Sequence, residues 1–263
     1  MRIRTALLGI DIQNDFTMPT GALFVNGADG DVRRMANFME EYGSNIDYAA
    51  LTVDSHQPIH IATPAYWLDN EGYPPPLFTI ITASEVEAGK WKPQFNEDLA
   101  LDYLKALEQK GEVCKIWPPH CILGSKGWAI NEILIKALSS WCITENKSYE
   151  LFYKGMHQAT EHYSIFKAAV EYEDAEETKL NTKLLNKLKA FDQILVMGEA
   201  ADYCVVNSLN DMLEAVPDLA KKTIILTDCM SWIAPDNERA KYLYEKARDR
   251  GVRFMLSGDF NDY

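Results

Sequence analysis

The stretch Asp54-Ser-His56-Gln-Pro-Ile-His60 sets a carboxylate and an imidazole two residues apart, with a second imidazole four residues further on. In a loop the first two side chains can turn toward one cation, and mixed oxygen and nitrogen donors suit zinc, manganese or iron. A capped turn carrying exposed histidines has the same spelling, so both readings stand here, with His60 a candidate further ligand. The stretch Trp117-Pro-Pro-His120-Cys121 adds to it. Two prolines stiffen the backbone and set the directions of the indole and the imidazole. Trp117 is then able to stack on a flat ring and His120 to be a third ligand, against the plainer reading of a buried indole and a satisfied histidine. Three of the five histidines fall in these two stretches, which favours the cation.

Nucleophilic chemistry has its own candidates. Cys204 ends the turn Gly198-Glu-Ala-Ala-Asp202-Tyr-Cys204 and opens a helical pattern over 205–212. Free amides and the positive end of a helix dipole favour a thiolate there and can hold an oxyanion. A buried cysteine packed on a sheet is the commoner fate. Lys154 ends an apolar run just ahead of Gly155. Its charge would lower a neighbouring thiol pKa, unless the side chain simply reaches solvent. Asp11 closes the first apolar run, as a base or as a turn cap. Asp15 reads as a cap, and Phe16 offers an aromatic wall.

These residues need strands to end beneath them. Apolar, β-rich runs cover 5–11, 48–54, 113–116, 150–153, 193–197, 223–228 and 252–256. Helical periodicity covers 31–42, 132–138, 178–189, 205–212 and 238–250, and Asn96 caps a further helix that Gly111 stops. Strand–helix alternation predicts an α/β fold, a mostly parallel sheet with helices on both faces. Ligands in such sheets sit outside the carboxyl ends of the strands, where Asp11, Asp54, Lys154 and the turn after Met197 fall. One domain over 1–263 is the economical organisation, with a Pro-, Tyr- and Trp-rich ordered insertion at about 62–93.

Composition narrows the partners. Asp plus Glu outnumber Lys plus Arg by 39 to 26, a net charge of −13, so nucleic acid and anionic membrane surfaces are poor partners. The opening ten residues read as a strand rather than a signal peptide, and no run is long enough to span a bilayer. Five scattered cysteines predict a reduced, cytoplasmic protein. Dinucleotide, P-loop, serine-elbow and Cys-x-x-Cys motifs are all absent.

Taken in order, Asp11 with Gln13-Asn14-Asp15-Phe16, Asp54-x-His56, Trp117-Pro-Pro-His120-Cys121, Tyr153-Lys154-Gly155 and Gly198-x-Ala-x-Asp202-x-Cys204-Val resemble the isochorismatase-like cysteine hydrolases, most of all the nicotinamidases. The resemblance covers nearly the whole chain. It implies a three-layer α/β/α fold around a six-stranded parallel sheet and a catalytic triad of Asp11, Lys154 and Cys204. It implies one divalent metal ion (Zn, Mn or Fe) on Asp54, His56 and His120, with His60 a ligand in some members only. A cis Glu199–Ala200 peptide and an oxyanion hole from the N–H groups of Ala200 and Cys204 are also implied. So is a pyridine ring held between Phe16 and Trp117.

The implied reaction is hydrolysis of nicotinamide to nicotinate and ammonia through a cysteine thioester. The alternative is a related cysteine hydrolase acting on another small amide or an isochorismate-like substrate, although isochorismatases lack the metal motif. Two departures stand out. Ser55 replaces the family's aromatic residue, and the 62–93 insertion lengthens the interval from Asp54 to His120. That insertion is a candidate lid, homo-oligomer contact or pocket-shaping element.

Overall fold

Apolar runs and amphipathic stretches alternate along the chain, and each becomes a strand or a helix of one layered structure. The computed structural model describes residues 2–260; Met1 and residues 261–263, the ends of the expected 1–263 span, lie outside the described residues. The elements run β1 (Thr5–Ile10), α1 (Asn14–Thr17), α2 (Ala28–Tyr42), β2 (Ile46–Asp54), β3 (Trp67–Leu68), β4 (Ile80–Ile81), α3 (Ala83–Glu87) and β5 (Lys92–Pro93). They continue with α4 (Glu97–Gln109), β6 (Cys114–Lys115), α5 (Glu132–Glu145), β7 (Tyr149–Lys154), α6 (Thr182–Lys189) and β8 (Gln193–Gly198). The chain closes with α7 (Val206–Ala215), β9 (Thr223–Leu226), α8 (Glu238–Asp249) and β10 (Arg253–Met255).

Six strands form one sheet in the order β10-β9-β8-β1-β2-β7, every neighbouring pair parallel. β1 lies near the middle and is buried along its whole length, as a strand covered on both faces must be. Its alternate side chains feed two cores. Leu8 joins Val196, Leu184, Leu209 and Ala240 beneath α6, α7 and α8, whereas Leu7 joins Met35, Phe38, Leu138 and Trp141 beneath α2 and α5. The fold is therefore the expected three-layer α/β/α arrangement. Among the described residues no helix is long and apolar enough to cross a membrane.

Local chemistry sets the helix starts. Asn96, Asn131, Asn181 and Asn237 each accept a backbone N–H of the first turn through the side chain. α5 runs a full two turns past the expected 132–138, because Trp141 is buried and its indole donates to Gly43 O at 2.9 Å. Ser139 and Ser140 had hidden that continuation.

The run at 113–116 is a correction. Cys114–Lys115 does not enter the main sheet but pairs antiparallel with β4, inside the insertion. A short apolar run carries no information about which sheet it joins. Residues 62–93 are ordered. Tyr66, Trp67, Ile81 and Trp91 pack with Tyr103 and Leu104 of α4 into a satellite core of their own.

Candidate active site and cation site

The chain runs from β1 to β2 on one side of the sheet and later returns to β8 on the other side of β1. The crevice at this switch point is framed by the carboxyl ends of β1, β2, β7 and β8, which bring Asp11, Asp54, Lys154 and the 199–204 turn together. Asp11 sits just past β1 at φ 48°, its N–H donating to Thr52 Oγ1 at 3.0 Å. Thr52 in turn donates to Asp11 Oδ1. Gln13 exchanges hydrogen bonds with the backbone of Asp54, at 2.7 Å to its carbonyl and 2.8 Å from its amide, locking the two strand ends in register.

Lys154 is the hub. Its ammonium lies 2.9 Å from Asp11 Oδ2, 2.9 Å from Asp54 Oδ1 and 3.5 Å from Cys204 Sγ, and all four side chains are buried. Burial opposes the charge on Lys154, but the Asp11 and Asp54 carboxylates overcome it and hold the pKa well above the usual range. The opposite holds for the thiol. Burial pushes the Cys204 pKa well up; the Lys154 charge pulls it down, and the Asp11 and Asp54 carboxylates raise it again. At rest the Cys204 side chain is a neutral thiol rather than the thiolate that its place ahead of a helix favours. Burial also raises Asp11, with Lys154 opposing. A carboxylate of raised basicity beside a thiol is suited to taking its proton at the moment of attack.

Cys204 itself lies in a π-helical turn, Ala201–Val205, that follows β8 and precedes α7. The Glu199–Ala200 peptide is cis. Around it, Ala201 N donates to Ser231 O, and Tyr203 N and Val205 N donate to Ala200 O. Gly198 is obligatory at φ 131°, since a Cβ there would stand 2.0 Å from Ile10 O.

Asp54, His56 and His120 meet on the other side of Lys154. Asp54 Oδ2 is 3.5 Å from His56 Nδ1 and 3.4 Å from His120 Nε2. Four tetrahedral ligands at about 2.1 Å from a zinc ion stand about 3.4 Å apart, so the spacing fits such an ion. His120 donates from Nδ1 to Pro118 O at 2.7 Å, which leaves its Nε2 lone pair for a cation. Burial raises Asp54, but the charges of His56 and Lys154 reverse this and hold its carboxyl well below the usual range.

Glu161 is the residue the motifs did not reveal. It is buried, with Oε1 at 3.7 Å from His56 Nε2, too far for a hydrogen bond, and that nitrogen has no hydrogen-bond partner. Burial raises its pKa, yet the neighbouring His56 and His60 bring it to about 2. Burial lowers His56, but the Asp54 and Glu161 carboxylates lift it to about 9. His56, His60 and Glu161 thus form a second group that shares His56 with the first. His60 is differently placed from His120. Its Nε2 donates to Thr160 O at 3.1 Å and its Nδ1 accepts from Ala62 N at 3.3 Å, so both ring nitrogens are already engaged by backbone.

Phe16, Trp117, Ala200 and Cys204 line one cavity, together with Tyr163 and Tyr203, which the motifs also missed. Phe16 is edge-on to His120, with ring centroids 5.3 Å apart. Asp15 is not the expected cap: it lies inside α1 and ties two other segments to it, accepting from Cys121 N at 2.7 Å and Ala22 N at 2.9 Å. At Ser55 the hydroxyl accepts a hydrogen bond from the Trp128 indole at 2.9 Å.

No family model matches the chain. Nicotinamidase of Saccharomyces cerevisiae is 23% identical over 249 residues, covering 95% of this chain and 98% of that protein. Nicotinamidase of Escherichia coli is 25% identical over 228 residues, covering 85% and 81%. Among solved structures, the nicotinamidase/pyrazinamidase of Acinetobacter baumanii superposes with a TM-score of 0.67 at 24% identity, covering 97% of both chains. Pyrazinamidase of Pyrococcus horikoshii, solved in complex with zinc, gives 0.55 at 18% identity, covering 96% and 99%. The chain is thus similar along most of its length to two nicotinamidases and shares the fold of the solved nicotinamidase and pyrazinamidase structures.

Proposed function

We propose that the protein is a cysteine amidase that hydrolyses nicotinamide to nicotinate and ammonia, with Asp11, Lys154 and Cys204 as its catalytic residues. The observation that carries this reading is the position of Lys154, within 3.5 Å of Cys204 Sγ and 2.9 Å of both Asp11 and Asp54. It makes the nucleophile, its base and a cation site parts of one charge network. The activity of the two similar nicotinamidases supports the substrate.

Amides are poor electrophiles with a poor leaving group. Asp11 takes the Cys204 proton as Sγ attacks the carbonyl carbon and later delivers it to the departing nitrogen, so that ammonia leaves and a thioester remains. A water molecule then attacks the thioester, with Asp11 again as base, and Cys204 regains its proton. Lys154 stabilises the sulfur as it becomes anionic. The amides of Ala200 and Cys204 donate to the tetrahedral oxyanion, a contribution of about 3–4 kcal/mol at the barrier.

Phe16 and Trp117 flank the pyridine ring. Asp54, His56 and His120 would hold one divalent ion of the zinc, manganese or iron type, with Glu161 beside His56; His60, engaged by backbone, would support rather than ligate. When bound, such an ion would supply a Lewis-acidic point for the ring nitrogen and so help to orient the amide toward the thiol. A small amide is the partner, residues 1–263 form one domain, and the five free cysteines fit a cytoplasmic compartment. Ammonia release from nicotinamide tests the reading. Metal-loaded protein should turn over and Cys204→Ala should not; inert wild-type protein would sink it.

A further inference from the structure

The cavity bounded by Phe16, Trp117, Tyr203 and Cys204 measures about 20 Å³. That is a narrow space for a pyridine carboxamide, so the freedom of its wall bears on how a ring enters. Tyr163 and Tyr203 line both this cavity and a second, outer one of about 320 Å³, so their rings form the partition between the two. Tyr203 is only half-buried, and space lies open on its outer side.

Lys115 holds that partition from outside. Its ammonium donates to Tyr203 Oη at 3.0 Å, and sits 5.0 Å from the Trp117 ring centroid and 5.6 Å from that of Tyr203. The two rings meet edge to face at 4.9 Å. Lys115 forms no ion pair among the described residues, so these aromatic contacts are what its charge serves. Strand alternation puts Cys114 and Ile116 into the satellite core and turns Lys115 and Trp117 the other way. The insertion keeps that strand in place. Ile80 pairs with Lys115, and Phe78 N donates to Ile116 O at 2.5 Å while the Phe78 ring stands edge-on to Trp117.

We propose that Lys115 is a positioning residue that latches Tyr203 and Trp117 over the ring pocket, and so sets how readily the pocket opens and how wide a ring it admits. Its contact is with the two wall residues and not with the reacting atoms. The proposal rests on the amidase reading, but the access it describes can be measured without turnover.

The test compares wild type with Lys115→Met, which keeps the stem and loses donor and charge, and Lys115→Arg, which keeps both. Two quantities are measured: alkylation of Cys204 by N-ethylmaleimide, followed peptide by peptide, and kcat/KM for nicotinamide against the bicyclic quinoline-3-carboxamide. The hydrogen bond to Tyr203 and the cation–ring contact with Trp117 set the scale, so Lys115→Met should alkylate Cys204 about fivefold faster and shift the amide ratio toward the bicyclic ring by about as much. Lys115→Arg should stay within about twofold of wild type. Unchanged Cys204 reactivity in Lys115→Met overturns the proposal. So does equal loosening in Lys115→Arg, or a rise shared by the buried Cys114 and Cys121. If neither amide is turned over but Cys204 reactivity still follows Lys115, the latch stands and the amidase reading fails.

Discussion

Lys154 and Asp54 form a buried ion pair of 2.9 Å, and through it Cys204 and the candidate cation site share one charge balance. Asp54 gives one oxygen to Lys154 and the other to the histidines, Oδ1 to the ammonium and Oδ2 toward His56 and His120. Lys154 meanwhile offers its remaining contacts to Asp11 and Cys204.

Replacing Lys154 by Met would therefore leave two buried carboxylates short of a cation. Breaking a buried pair by removing one partner costs about 3–5 kcal/mol of stability. Amide hydrolysis should fall by about 10³-fold or more, because the developing thiolate loses its counter-charge. Zinc affinity should be retained or should rise, since a competing cation leaves the Asp54 carboxylate. Turnover, urea unfolding and zinc competition with a chromogenic chelator check the three parts separately. Zinc loss in parallel with activity would contradict the division of labour between the two oxygens.

Gly155 follows Lys154 at φ 79°, and a Cβ there would stand 2.7 Å from Asp54 Oδ1 and 3.2 Å from His56 Nε2. Gly155→Ala therefore strains a left-handed backbone and pushes on the ligand carboxylate at once. Zinc affinity should drop about 10–100-fold, as it does when the supports of a metal ligand are disturbed. Metal content after dialysis against a weak chelator reports it. Alanine at the exposed Ser125, away from these atoms, is the comparison that should keep its metal.

That Asp11, Asp54 and Lys154 come together was legible for a physical reason. Asp11, Asp54 and Lys154 each end an apolar run, and in a parallel sheet the ends of such runs face one crevice. Cys204 and the Pro-Pro histidine carried turn chemistry of their own. Glu161 had neither signal. It lies in a long connection between β7 and α6, where no periodicity marks an inward residue, and only the fold brings it beneath His56. The strand at 113–116 was misplaced for a related reason, because its partner, β4, is a two-residue strand that no pattern announces. The protonation state of Cys204 was also out of reach. Position ahead of a helix argues for thiolate, and the depth of burial that reverses this is a tertiary property.

Glu161 should matter through His56. In the metal-free protein the Asp54 and Glu161 carboxylates keep His56 protonated up to about 9, so a cation entering at pH 7.5 must displace that proton. Zinc binding should release about one proton at pH 7.5 and fewer as the pH approaches 9, read by calorimetry in buffers of different ionisation enthalpy. Glu161→Gln removes one of the two supporting charges. The released proton count should shrink, and zinc should bind about tenfold more weakly. Unaltered proton release in this variant would separate Glu161 from His56.

His162 supplies a pH dependence whose sign is fixed by its surroundings. It is buried, and its Nδ1 has no hydrogen-bond partner. Burial, then the charge of Lys154, push its pKa from 6.5 down to about 3. The folded state thus binds this proton less readily than the unfolded chain. The contribution of His162 to stability is intact above about pH 6.5 and is lost as the pH falls toward 3. Each pH unit inside that window is worth about 1.4 kcal/mol. Other carboxylates titrate over the same range, so the difference between wild type and His162→Phe isolates the effect. The substitution adds a packing change that is constant with pH. Relative to wild type, His162→Phe should gain about 2–3 kcal/mol between pH 7 and pH 4.5, measured as urea midpoints at closely spaced pH values. A difference that stays flat across this interval would mean that His162 is charged in the folded protein, and would contradict the downward shift that burial imposes.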